Sequence, residues 1–141
     1  MFVIFDLDGT LALNEHRRHF VDRGPARFGE ALPILFAADL YNWPVVRLLQ
    51  DLSMHHEVEI WSGRSDKVEA KTRKWLAEAG IDHIKRRHRP DGDHTSDVEL
   101  KRGWLKESSR CPDIVFDDRD SVVAMWRAEG IVCCQVAPGS F

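Results

Sequence analysis

The sequence predicts an α/β fold, a three-layer α/β/α sandwich on a mostly parallel sheet, with its 141 residues forming one domain. Three observations predict it. Short apolar runs that end in polar residues recur along the chain, and helix-period segments lie between them. A content of 43% hydrophobic and 30% charged residues is the balance of a globular domain. Strands alternating with helices imply βαβ units and a Rossmann-like sheet covered on both faces.

The elements follow in order. Phe2 to Phe5 (FVIF) is a continuous apolar run that stops at acids, as expected of a buried parallel strand. Residues 13–43 are less regular, with Arg17, Arg18, Arg23, Arg27 and Pro25. They read equally as a small lid, a minimal cap, or as surface helix and loops. Pro44 suits a first helical turn, and Val45, Val46, Leu48, Leu49 and Leu52 continue the pattern. Val58 to Trp61 is the second strand. Asp66 to Ala79 is the next helix, with Gly80 placed for its cap. Asp82 to Arg86 is a weaker strand, and the basic run Lys85 to Arg89 leads into a polar loop. The helix over Asp97 to Glu107, the strand Ile114 to Phe116, the helix over Asp120 to Glu129 and the strand Ile131 to Val136 complete the set.

Parallel sheets bind ligands beyond the carboxyl ends of their strands. The first strand ends in Asp6, the second in Ser62 and the third in Asp117 and Asp118, so adjacent parallel strands would gather all four at one edge. Asp6-Leu7-Asp8-Gly9-Thr10 puts two carboxylates two residues apart at a strand end. One can attack an electrophile and ligate a metal while the other shuttles a proton. A calcium loop is the competing reading of this stretch, but counted from Asp6 the closing Glu is replaced by Arg17. Gly9 permits the sharp exit, and Thr10 can bond the local backbone.

Other classes are disfavoured. A formal net charge of -3 gives no general attraction to nucleic acid or membrane. No apolar run approaches the ~20 residues of a membrane helix, and the first residues do not read as a signal peptide. Cys111, Cys133 and Cys134 form neither a disulfide framework nor a zinc pattern, so a reducing cytoplasm is expected. The seven histidines show no ligand spacing and read as surface residues. Trp61, Trp75, Trp104 and Trp126 read as core, and Trp43 as the aromatic to test for stacking on a substrate. Lys85 to Arg89 reads as a solvated charge run, with steering of a phosphate-rich strand as the functional alternative.

DLDGT after an apolar strand resembles the first motif of the haloacid dehalogenase-like phosphohydrolases. Ser62-Gly63-Arg64, Lys101 and Asp117-Asp118 follow in the order of that family's remaining motifs. A narrower resemblance, to the 3'-phosphatase domain of phage-type polynucleotide kinase/phosphatase, rests on SGR, on Thr72-Arg73-Lys74-Trp75, on Asp97 four residues before Lys101, and on the stretch from Asp117 to Phe141. It implies that Asp6 attacks phosphorus to form an aspartyl-phosphate. Asp8 protonates the leaving hydroxyl and then activates water. Ser62 and the Gly63 amide cradle the phosphoryl group, and Lys101 offsets charge. Asp6, the Asp8 carbonyl and Asp118 hold Mg2+, with Asp117 acting through water. Arg64, Asp97 and Arg17 match substrate-side positions. Taken without the resemblance, Asp97 and Lys101 could be a mere surface pair worth about 0.3–0.5 kcal/mol.

The implied substrate is a 3'-phosphate on a DNA or RNA end or on a nucleotide, with a separate kinase or ligase as a conceivable partner. No GxxxxGK[ST] loop occurs, so kinase activity is not expected. A nucleoside 5'-monophosphatase and a catalytically idle module that binds phosphate ends are the alternatives.

Overall fold

Residues 1–13 and 40–140 are described by the structure, a computed structural model of the chain. At its centre lies β1 (Phe2–Phe5), buried at every position because FVIF carries apolar side chains to both faces. It pairs in parallel with β4 (Glu57–Ser65) on one side and with β6 (Ile114–Asp117) on the other. Outside these lie β5 (Lys85–Arg89) and β7 (Val132–Gln135), also parallel, giving the order β5-β4-β1-β6-β7. The chain passes from β1 to β4 and β5 on one side and then crosses to β6 and β7 on the other, so β1 marks the switch point where a crevice opens beyond the strand ends.

Four helices, labelled in chain order among the described residues, cover the sheet. They are α1 (Trp43–Ser53), α2 (Glu69–Glu78, entered through a 3-10 turn at Asp66–Val68), α3 (Asp97–Glu107) and α4 (Asp120–Ala128). Val46 and Leu49 of α1 and Trp75 and Leu76 of α2 pack with Val3, Phe5, Val58 and Ile60 on one face. Leu100 and Trp104 of α3 and Val122, Val123, Met125 and Trp126 of α4 pack with Phe2, Ile4, Trp61 and Val115 on the other. The three layers expected from the sequence are therefore present. Trp61 anchors the second face, 5.8 Å from the Trp104 ring and 5.9 Å from that of Trp126. Burying each such ring contributes about 2–3 kcal/mol.

The fifth strand departs from expectation. It runs over Lys85–Arg89 rather than Asp82 to Arg86, so the basic run is itself the edge strand. Its cations are tied down within the molecule. Lys85 donates to the buried Glu59 at 2.5 Å, Arg86 pairs with Glu69 at 3.1 Å, and Arg87 lies 5.1 Å from the Trp61 ring. A row of cations blunts a sheet edge that would otherwise offer free backbone groups. Lys85 stays exposed and the rest of the run is part-buried, so the run is solvated along one side while these partners hold the other. His88 also departs from the surface reading. Both of its ring nitrogens are buried with no hydrogen-bond partner among the described residues, and burial, then Arg86, lowers its pKa.

The ends of the 13–43 segment that are described form a small antiparallel pair, β2 (Ala12–Leu13) with β3 (Leu40–Tyr41). Asn42 fixes it to the loop after β1, its backbone amide donating to Leu11 O at 2.8 Å and its Nδ2 to Thr10 O at 3.0 Å. Tyr41 stacks on Trp75 at 4.2 Å, and Trp43, 45% exposed, leans on Tyr41 at 4.9 Å. The rest of that segment, Arg17 included, lies outside the described residues. Among the described residues no helix is long and apolar enough to cross a membrane. The three cysteines are free. Burial, with Asp117 nearby, pushes the Cys133 thiol up to about 12, which leaves it an inert core group.

Candidate active site

The end of β1 sets the site. Asp6 is the first residue past the strand, and its amide donates to Phe116 O at 2.8 Å, which holds it level with the end of β6. The chain then turns through Gly9 at φ +90°, closed by Gly9 N to Ala12 O at 2.8 Å and by Leu11 N and Ala12 N to Leu7 O. A β-carbon on Gly9 would lie 2.0 Å from Asp118 Oδ2, so glycine is needed both for the turn and to let the second acidic segment approach. Thr10 is fully buried, yet its Oγ1 finds no hydrogen-bond partner among the described residues. The turn is bonded through backbone groups instead of through this hydroxyl.

Asp117 closes β6 and Asp118 follows it. With Asp6 they form a buried cluster in which one carboxylate oxygen from each residue lies within 4.8 Å of the others. Lys101 reaches it from α3, four residues into the helix. Its Nζ donates to Asp6 Oδ1 at 2.5 Å and to Asp117 Oδ2 at 2.7 Å. Burial, with Asp117 and Asp118 alongside, holds the Asp6 carboxyl well above the usual carboxylate range although Lys101 pulls the other way. For Lys101, burial acts to lower the pKa, but Asp117 and Asp6 outweigh it and keep the ammonium charged. Three buried carboxylates with hard oxygen donors so arranged could hold a divalent cation.

The second wall comes from a bulge in β4. Ser62 pairs with His88 and Ser65 with Arg89, so Gly63 and Arg64 are extra residues on β4 opposite a single step of β5. Bulges re-aim side chains, and this one turns Arg64 inward. Arg64 is 4% exposed. Its Nε donates to both oxygens of Asp8, at 2.9 and 3.1 Å, and its terminal nitrogens reach Asp8 Oδ1 at 2.5 Å and Thr72 Oγ1 at 3.4 Å. The bulge carbonyl of Gly63 is satisfied by Arg89 Nε at 3.0 Å. Asp97, the first residue of α3, is held by Arg89 and by Arg119, and its Oδ1 lies 2.6 Å from where a Gly63 β-carbon would be. Ser62 is fully buried and its Oγ accepts from Arg64 N at 3.1 Å.

The residues singled out in the sequence thus meet at one sheet edge, apart from Arg17, which is not among those described. Asp97 and Lys101 do share a helix face, but each engages other partners. The clamp of Arg89 and Arg119 on Asp97 was missed, because it depends on a bulge that no periodicity reveals. Gly9→Ala is expected to fold with strain and to cut turnover by about 10²-fold, since a shift of about 1 Å in Asp118 costs that much. Steady-state rates with a phosphate monoester check this, and an unchanged rate would mean that the close approach has no role.

A parallel sheet with an acid pair after its central strand, further acids at a neighbouring strand end and a lysine reaching them from a helix defines the class of haloacid dehalogenase-like phosphohydrolases. A solved hydrolase of that family from Streptococcus pneumoniae matches the fold with a TM-score of 0.64 at 16% identity, over 95% of this chain and 83% of that one. Within the class, the chain belongs to the family of the polynucleotide kinase PNKP phosphatase domain, whose model matches residues 1–141. Chains in two structures of the Pnkp1/Rnl/Hen1 complex, an RNA repair complex, are 32% identical with a TM-score of 0.81. Each match covers 99% of this chain and 43% or 46% of the other. The chain therefore spans less than half the length of those relatives.

Proposed function

We propose that this chain is a Mg2+-dependent phosphatase that removes a 3'-phosphate from a DNA or RNA end, or from a nucleotide, through an aspartyl-phosphate on Asp6. The observation that carries the reading is the buried cluster of Asp6, Asp117 and Asp118 with Lys101 bridging two of its members. The donor set fits Mg2+, which prefers oxygen ligands and keeps several waters. Asp6, the Asp8 carbonyl and Asp118 would hold it, with Asp117 acting through water. When bound it offsets the repulsion between a carboxylate and a phosphate dianion.

Asp6 attacks phosphorus, and the bond from phosphorus to the sugar oxygen breaks. Asp8 gives its proton to that oxygen. Asp8 then takes a proton from water, whose oxygen attacks the aspartyl-phosphate; phosphate leaves and Asp6 is restored. Lys101 stays charged throughout and balances Asp6 and the phosphoryl oxygens. Ser62 and the Gly63 amide cradle those oxygens. Arg64, which forks onto both oxygens of Asp8 in this structure, would turn to the substrate when it binds and so free an Asp8 oxygen to carry the proton, and Asp97 braces the Gly63 turn from the substrate side. Arg17 is proposed for substrate contact on resemblance alone.

The 3'-end preference rests on family membership, and an RNA end is favoured by the relatives in the RNA repair complex. A separate kinase or ligase would act on the same ends. No kinase activity is proposed, and three free cysteines suit a reducing cytoplasm. Phosphate release from a 3'-phosphorylated oligonucleotide, and from 3'- and 5'-mononucleotides, with and without Mg2+, tests the reading. The 3'-phosphorylated end should be hydrolysed fastest and only with the metal. Preference for the 5'-mononucleotide would make the chain a nucleotidase, and no release from any of them would leave a binding module.

Asp8→Asn is expected to slow an alkyl phosphate by about 10²–10⁴-fold and an activated aryl phosphate much less, because only the poor leaving group needs a proton. Equal losses on the two substrates would remove Asp8 from that role.

A further inference from the structure

The end of β7 and the segment after it carry no role in the mechanism above, yet they are built against the backbone of the acid pair. Val136 N donates to Asp117 O at 3.1 Å. Gln135 Nε2 donates to Asp118 O at 2.9 Å and to Asp120 Oδ1 at 2.6 Å. Gly139 accepts from Asp120 N at 2.9 Å and donates to Asp120 Oδ1 at 3.3 Å. Gly139 is buried, and a β-carbon there would lie 2.2 Å from Asp118 O and 2.7 Å from the Arg119 Cα. Its φ is not positive, so the need for glycine is one of space rather than of turn geometry.

We propose that Gln135–Gly139 is a strap whose Gly139 and Gln135 are positioning residues for the acidic cluster. Asp118 lies beyond the last residue of β6, where the sheet no longer holds the chain. Its carboxylate is pressed from the front by the Gly9 turn, and its peptide is held from behind by the strap. Both sides must be fixed for Asp118 to keep its spacing to Asp6. A few tenths of an ångström decide whether hard oxygen ligands suit Mg2+, which demands near-ideal geometry. The strap also carries the Asp120 carboxylate at the start of α4, so helix, strap and acid pair move as one unit.

This inference rests on the metal reading of the cluster, and its test separates the two. Mg2+ binding to the whole chain is measured by isothermal titration calorimetry without substrate, with Tm measured in EDTA. Gly139→Ala is expected to weaken Mg2+ binding at least tenfold with a modest fall in Tm. In turnover it should raise the Mg2+ concentration for half-activity while kcat recovers at high Mg2+. Gln135→Met, which adds no volume at the contact, should weaken binding about threefold and serves if Gly139→Ala fails to fold. Gly103→Ala on α3, where a β-carbon meets nothing within 4 Å, should leave Mg2+ binding unchanged. Wild-type Mg2+ affinity in a folded Gly139→Ala, or in Gln135→Met, would overturn the strap while leaving the metal site standing. No Mg2+ binding by the unsubstituted chain would overturn both.

Discussion

Asp6→Asn is expected to abolish turnover, by on the order of 10⁴-fold or more, because the amide cannot attack phosphorus and no neighbouring group can replace it. It should not unfold the protein. In the metal-free chain the Asp6 carboxyl is desolvated and faces Asp117 and Asp118, so its folded pKa lies above the unfolded one. Such a group stabilises the fold fully below its unfolded pKa of about 3.9. That contribution is lost as pH rises toward the raised folded value. Asparagine cannot ionise, so in EDTA at neutral pH Asp6→Asn should have a Tm equal to or above that of the parent, with a flatter dependence on pH. Mg2+ should stabilise the parent more than the variant. Thermal melts with EDTA and with Mg2+, beside a turnover assay, check this. Appreciable activity in Asp6→Asn would contradict covalent catalysis by that residue.

Lys101→Met has the second largest expected effect, and it falls on stability as well as rate. The Lys101 side chain is buried and its ammonium sits between two buried carboxylates. Removing one partner of a buried ionic group and leaving the others uncompensated costs about 3–5 kcal/mol. The metal-free variant should therefore melt several degrees lower, and acidification should recover part of the loss by protonating Asp6, whose carboxyl burial already holds above the usual range. Mg2+ should recover more, since it supplies positive charge to the same oxygens. Turnover should fall by about 10²–10³-fold even with saturating Mg2+, as expected for loss of one charge stabiliser of the transition state. Parent-like stability in EDTA together with parent-like turnover would show that Lys101 is not the counter-charge of the cluster.

Much of this was legible in the sequence, and what was not has physical causes. FVIF followed by acids gave both β1 and the cluster's first member, because a strand buried on both faces is written as an unbroken apolar run. Asp117 and Asp118 could be read in the same way from the apolar stretch before them. Helix α3 was found with its bounds, since Gly103 does not break its period and Lys101 falls on its inner face. The strand β5 was displaced because KRRHR has no apolar alternation. Its side chains are held by Glu59, Glu69, the Trp61 ring and the Gly63 carbonyl, partners far away in the chain. The fork of Arg64 on Asp8 was hidden for a related reason. It exists only because a bulge puts two residues of β4 opposite one step of β5, and bulges leave no mark on hydrophobic periodicity. Gly139 gave no sign either, since a glycine in a Pro-Gly pair reads as an ordinary turn. Its role appears only when the Asp118 backbone is seen to occupy the space a side chain would need.

The most direct measurement is chemical trapping of the enzyme in mid-reaction. The chain would be mixed with a 3'-phosphorylated oligonucleotide and Mg2+, quenched within one turnover and treated with borohydride, which reduces an acyl phosphate to the alcohol. The account predicts homoserine in place of Asp6 in the N-terminal peptide, seen by mass spectrometry and absent without Mg2+. Release of phosphate with Asp6 unreduced, or reduction at a different carboxylate, would contradict it.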